Sequence, residues 1–311
     1  MPFKSLSPEQ PAHAKADRDA AASHFYACRK AGSLPAGDLP QSLPRKSIHP
    51  QPMSDNNASL AVLITMPHSH YVEKARWALD WLSLPYREQP HVPVLHRMAT
   101  TRNGGRGVPV LVHGGRQFVD SNAILEYADS VCGGGLLYSR DPTQRRAVDA
   151  LEEQFDEVLG PHTRRWAYAQ LLHDRGLLRK MMSRGVPWAE ASLLPVLMPI
   201  VIPTIRTVLR ITSESAQRSI ERVWGIFREV DERLNDGRRF LVGERFSAAD
   251  LTFASLASPV LLPEGCRASY PELAAVPAMM REEILRLRDT GAGQFALRLF
   301  SQERVRPPVM A

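Results

Sequence analysis

Between residues 60 and 135 the apolar positions switch repeatedly from strand spacing to helical spacing and back, and this alternation restricts the fold more than any other feature of the chain. Residues 60–65 (LAVLIT) form an apolar run short enough for a buried strand. Tyr71, Ala75, Ala78, Leu79 and Leu82 then recur at helical intervals and predict a helix over residues 69–82. Residues 86–92 follow as a second strand and residues 94–101 as a short helix. Residues 108–112 (VPVLV) read as a strand, His113-Gly114-Gly115 as a hairpin turn, and residues 117–119 as its returning partner. Asp120-Ser121 open a helix carrying Ile124, Leu125, Ala128 and Val131, which Gly133-Gly134-Gly135 stop. The order βαβαββα makes an α/β sheet layered with helices.

Beyond residue 140 the spacing is helical throughout. Asp141-Pro142 supply an N-cap and a proline at the first helical position, with Ala147, Leu151 and Phe155 as the apolar stripe. Pro161 is expected to kink or end that helix. Ile220, Val223, Trp224, Phe227, Val230 and Leu234 mark another helix, closed by Gly237. Ser247 and Asp250, just before LTFASLA, match a capping box with Asp in place of Glu. The helix they open is apolar almost all round, which places it at the centre of the helical half. Residues 193–205 are apolar but interrupted by Pro195, Pro199 and Pro203. They are too short to span a bilayer and read as a buried, kinked helix pair, with interfacial membrane association as the lesser alternative.

Residues 1–58 differ from the rest of the chain. They are rich in Pro, Ser and Ala, carry mixed charges, and hold no sustained apolar period, so they cannot bury enough surface to offset the entropy of ordering. Met53 opens a stretch that reads as an alternative start. The expected partition is a poorly ordered extension over 1–58, an α/β domain over 59–136, an all-helical domain over 141–300 and a tail over 301–311.

Composition narrows the function classes. Lys and Arg number 39 against 33 acidic residues, a formal charge of +6, with the arginines scattered. That balance favours small anionic ligands over a nucleic-acid backbone. Cys28, Cys132 and Cys266 are odd in number and far apart, as suits a reducing compartment such as the cytoplasm, and no Cys-x-x-Cys pair suggests zinc or redox cycling. Cys132, at a helix end, reads as an inert buried thiol. His68 and His70 lack nearby acidic or cysteine ligands and read as solvent-exposed side chains, with no metal expected.

Three local features carry chemistry. Ser69 stands where a strand gives way to a helix N-terminus: its hydroxyl either caps the helix or donates to a thiolate and lowers its pKa. Pro109, after Val108 at the head of a strand, is either an ordinary trans proline or a cis proline. A cis bond leaves the Val108 backbone free to pair with an extended peptide. Asp120 and Ser121 either cap their helix or hold a carboxylate and an ammonium group. His162, Trp166 and Tyr168 serve either as packing residues or as the lining of a second-substrate pocket.

In this order and spacing the features resemble the glutathione transferase superfamily. MPHSHYVEKARWAL is similar to its first strand–helix junction, GVPVLV to its cis-proline strand, DSNAILEYAD to its glutamyl-binding helix start, and FLVGERFSAADLTFASL to the capping-box helix of its second domain. The resemblance implies a thioredoxin-like βαβαββα domain followed by an all-α helical bundle, with glutathione as co-substrate. It places Ser69 at the sulfur, with Tyr71 as the other hydroxyl in reach. Val108 and Pro109 fall at the cysteinyl backbone, Asp120 and Ser121 at the γ-glutamyl end, and Arg106 near the glycyl carboxylate. Ser-His-Tyr stands where thiol-transferring classes carry Cys-Pro-Phe or Cys-Pro-Tyr, which favours conjugation or isomerisation over disulfide reduction. The expected activity is therefore glutathione transfer to a hydrophobic electrophile by a cytoplasmic homodimer, of the kind used in detoxification. The alternatives are a non-catalytic binding or regulatory protein on this fold, or a specialised glutathione-dependent lyase or isomerase.

Overall fold

A computed structural model of the chain describes residues 60–304, so the expected extension over 1–58 and the last residues of the expected tail lie outside the described residues. β1 (Ala61–Thr65) runs at the centre of a four-stranded sheet of order β2-β1-β3-β4. β2 (Tyr86–Pro90) lies parallel to it, with Leu63 opposite Glu88. β3 (Val110–His113) is antiparallel on the other side, with Leu63 opposite Leu111, and β4 (Arg116–Phe118) closes the sheet as the hairpin partner of β3. β2 alternates half-buried and exposed positions, as an edge strand covered on one face does.

α1 (His70–Trp81) packs on α3 (Ser121–Val131), and the short α2 (His96–Arg102) lies against β1. This is the thioredoxin-like βαβαββα half. β3 begins at Val110, later than the sequence spacing suggests, because Pro109 has no N–H to give a ladder.

The second half is all helix. α4 (Pro142–Gln154) passes through one π-helical turn (Phe155–Leu159) into α5 (Gly160–Leu171) without a break. Pro161 therefore does not end the helix. It occupies the first turn of α5, where its missing N–H falls beside the widened π turn. α6 (Arg175–Ser183), α7 (Trp188–Val208), α8 (Ser213–Leu234) and α9 (Ala248–Leu261) follow, then a 3-10 turn (Leu273–Ala275), α10 (Ala278–Arg288) and α11 (Gly291–Gln302). α11 reaches into the stretch expected as a tail. Every residue of α9 is buried, with α1, α4, α5, α10 and α11 packed around it. Its N-terminus is held by Asp250, whose carboxylate accepts from Leu241 N (2.7 Å), Ser247 N (2.8 Å) and Ser247 Oγ (2.8 Å).

α7 corrects the reading of residues 193–205 as a buried, kinked pair. It is a single helix containing Pro195, Pro199 and Pro203, and most of it is exposed. The three prolines fall at helical spacing and all three are exposed, so the hydrogen bonds they omit are lost on the solvent side of the helix. The polar residues on either side of the apolar run join the helix. Its full length is then long and apolar enough to cross a membrane by composition, with 17% of the most apolar window buried.

Candidate active site

The head of α1 is built by local sequence. Ser69 has extended backbone angles and its Oγ accepts from Val72 N at 3.4 Å, so it is the N-cap. A hydroxyl that accepts one hydrogen bond keeps its own hydrogen to donate. Capping and thiol activation are therefore compatible at Ser69. The side chain is half-buried and lies on the wall of a cleft of about 430 Å³. Val108 lines the same cleft, and its bond to Pro109 is cis. Opposite them stands α7, through Ile200, Val201, Thr204, Ile205 and Val208. The cleft thus has one wall from the α/β half and one from the helical half.

Asp120 and Ser121 do not line this cleft. Asp120 is the exposed N-cap of α3, accepting from Ala123 N at 2.7 Å, and Ser121 is the buried first residue of that helix. Arg106 is exposed in the loop before Val108. Tyr71 is committed elsewhere: its hydroxyl donates to the Asp156 carbonyl at 3.0 Å, and burial raises its pKa above the usual phenol value. A Cβ on Gly160 would come 2.3 Å from that hydroxyl, so only glycine lets α5 approach Tyr71 this closely.

His68 and His70 are not solvent-exposed as their sequence setting suggested. They are 7% and 3% exposed: the Tyr168 ring of α5 stands edge-on to His68, and His70 Nε2 donates to the Gly160 carbonyl at 3.0 Å. Burial, reinforced by His96 and Arg76, lowers the His68 pKa to about 4. Burial and the nearby Arg164 lower that of His70 to about 3, against the raising effect of the Gly160 hydrogen bond. Burial likewise takes His96, on the cleft wall, to about 4. All three imidazoles are neutral near pH 7. Among the described residues no cluster of three or more His, Cys, Asp or Glu side chains stands ready for a metal ion.

Of the three residues weighed for the second-substrate pocket, Tyr168 alone lines the cleft. Trp166 is buried, and His162 Nδ1 pairs with Ser219 Oγ at 3.0 Å. Tyr168 also lines a smaller recess of about 70 Å³ that opens beside Ser69 and runs toward Met181, Pro259 and Met280. Between cleft and recess stands Arg164, a residue to which the sequence pattern alone drew no attention. Its Nε is buried without a partner, and its guanidinium lies 5.8 Å from the centre of the Tyr71 ring. The signal was present in the chain, since Arg164 and Tyr168 are four apart on α5 and share a face. The cysteines at Cys132 and Cys266 line neither space. Cys132 is half-buried with Sγ against the Leu82 carbonyl, and burial raises both thiol pKa values.

A thioredoxin-like half with a cis-proline loop, joined to a helical bundle across a cleft at the first helix, defines a class that comparison with known proteins specifies further. Residues 63–134 match the glutathione S-transferase N-terminal domain and residues 192–283 the glutathione S-transferase C-terminal domain, together more than half of the chain. The chain belongs to the glutathione transferase superfamily. A tobacco (Nicotiana tabacum) relative bearing the name "Probable glutathione S-transferase" is 23% identical over 186 residues, covering 59% of this chain and 64% of that relative, so less than two thirds of its length is spanned. Among solved structures, a glutathione transferase of Phanerochaete chrysosporium aligns with TM-score 0.55 at 17% identity, covering 81% of this chain and all of that one. A glutathione S-transferase of Ceriporiopsis subvermispora, solved in complex with glutathione, aligns with TM-score 0.52 at 15% identity over the same shares. These two likenesses establish the shared fold.

Proposed function

We propose that the protein is a glutathione transferase in which Ser69 activates the glutathione thiol for attack on an apolar electrophile. The observation that carries this reading is that Ser69, at the head of α1, faces the same cleft as Val108 and the apolar wall of α7. Glutathione lies extended, its cysteinyl backbone paired with Val108 beside Pro109, and its γ-glutamyl end reaches Asp120 and Ser121 at the head of α3. The sulfur then meets the Ser69 hydroxyl and the positive end of the α1 dipole. Both stabilise a thiolate over a thiol, and the proton leaves to solvent. The thiolate forms a C–S bond with an electrophile held against α7, with loss of a leaving group or addition across an activated double bond. Holding both partners in one cleft supplies the rest of the rate advantage. We place the enzyme in the cytoplasm as a homodimer.

The test uses the purified full chain. It should be retained on immobilised glutathione and should conjugate glutathione to a generic aromatic electrophile. Ser69→Ala should keep retention while kcat falls by about 10²-fold, the usual effect of removing one hydrogen bond to a developing anion. Retention without turnover in the wild type would favour a non-catalytic protein on this fold. Unchanged turnover in Ser69→Ala would remove Ser69 from the chemistry.

A further inference from the structure

Among the described residues, the two spaces that meet at Ser69 are lined by cations and by no acid. Of the described residues, one formally charged side chain, Arg164, lines the recess, and two, Arg164 and Arg97, line the cleft. His68, His70 and His96, the other ionisable nitrogens on these walls, are neutral near pH 7. Among the described residues Arg164 forms no ion pair with a carboxylate, and its buried Nε has no hydrogen-bond partner. Apolar side chains make up much of the remaining surface, Val94, Ile200 and Val208 in the cleft and Leu171, Met181 and Met280 in the recess. A partly buried guanidinium without a counter-charge is costly to maintain. Its planar fork matches a carboxylate in two parallel hydrogen bonds.

We infer that Arg164 receives a carboxylate of the second substrate, so that the electrophile is an apolar acid rather than a neutral hydrocarbon derivative. This rests on the proposed transferase reading and assigns the substrate class of the same site. Arg164 is better placed for this ligand than for glutathione. The tripeptide runs from Ser69 along Val108, whereas Arg164 also lines the recess, which Val108 does not. An acid held by Arg164 leaves its apolar body against α7 and its reacting carbon beside the sulfur at Ser69.

The experiment is an equilibrium titration of the full chain with 4-phenylbutanoate and with 4-phenylbutanamide, an isosteric neutral control, each with and without saturating glutathione. The acid is expected to bind at least about tenfold tighter than the amide, a difference of about 1.4 kcal/mol. That preference should persist when glutathione is present. Arg164→Gln should abolish the preference without weakening the amide. Arg164→Lys, which keeps the charge but loses the fork, should retain part of it, and circular dichroism checks that both variants fold. Equal binding of acid and amide by the wild type overturns the inference. So does competitive displacement of the acid by glutathione, which would give Arg164 to the tripeptide. Neither readout depends on turnover or on retention by immobilised glutathione, so failure of the transferase reading is seen separately.

Discussion

His70 puts an imidazole where water does not reach, with Nε2 on the Gly160 carbonyl and Arg164 close by. Its pKa of about 3 lies below the ordinary 6.5, so between those values the unfolded chain binds a proton that the folded chain refuses. The stability His70 contributes is complete above about pH 6.5 and is lost as the pH falls toward 3. Between pH 7 and pH 5 the linkage amounts to about 2 kcal/mol for this one residue. His70→Gln keeps a donor for the Gly160 carbonyl but cannot titrate. In urea denaturation at the two pH values, the wild type should therefore lose about 2 kcal/mol more than the variant. Equal losses would show that His70 takes up its proton in the folded state as readily as in the unfolded chain. Asp250 titrates in the opposite sense, with its pKa raised by burial to about 6, but it does so equally in both proteins. The contrast between Ser69 and His70 shows what a sequence discloses at this scale. Capping is a contact between Ser69 and Val72, three residues apart, and is legible locally. The burial of His70 comes from α5, ninety residues on, and leaves no mark in the neighbouring letters.

At the scale of elements, what could be read was whatever an element carries within itself. α9 is apolar on every side, and such a helix is stable only when surrounded, which fixes its place at the centre. The capping pair was readable for the same reason, because Ser247 and Asp250 meet within one turn. The pair also does more than cap, since Asp250 reaches back to Leu241 N and ties the preceding loop to the helix. Asp250→Ala leaves two buried backbone donors, on Leu241 and Ser247, without acceptors. It should cost about 2–4 kcal/mol, seen as a lowered urea midpoint at pH 7. Asp250→Asn, which keeps one acceptor oxygen, should fall between variant and wild type, and a neutral result in both would mean that the loop finds other partners. α7 was misread because an apolar run with prolines does not announce its partner. The same letters suit a kinked buried pair or a single helix whose prolines all face solvent, and only packing distinguishes them. The continuity of α4 into α5 was hidden likewise, since a π turn upstream of Pro161 has no sequence signature of its own.

For the whole molecule, the division into a thioredoxin-like half and a helical half followed from the change of apolar period, but the seam between them did not. That seam is α1, whose charged residues would ordinarily face water and here are buried: Glu73, Lys74 and Arg76 are each nearly inaccessible. The helical half brings partners to Glu73 and Lys74, whereas Arg76 pairs with Glu88 of β2. Arg304 Nε donates to Glu73 at 2.9 Å, and Arg267 joins Asp80 and Glu88 on the rim. Trp77 packs beside Phe246 and Phe300, their ring centres 5.8 and 4.7 Å away. Lys74, completely buried, lies 2.9 Å from Glu152 at the end of α4 and 2.8 Å from Asp156 in the π turn, with Asn122 of α3 as a further acceptor. Burial pushes the Glu152 pKa up while Lys74 holds it down. Lys74→Met therefore strands two carboxylates at the seam and should destabilise the protein by about 3–5 kcal/mol. Adding Glu152→Gln removes one stranded charge, so the double variant should recover part of that loss, a coupling that additive effects would not give. If Lys74 joins the halves, the wild type should unfold in one urea transition, superimposable by tryptophan fluorescence and by circular dichroism. The Lys74→Met midpoint should fall for both probes together. Should the midpoint stay put, or should the double variant lose the sum of its single losses, the buried lysine is not what couples the cleft's two walls.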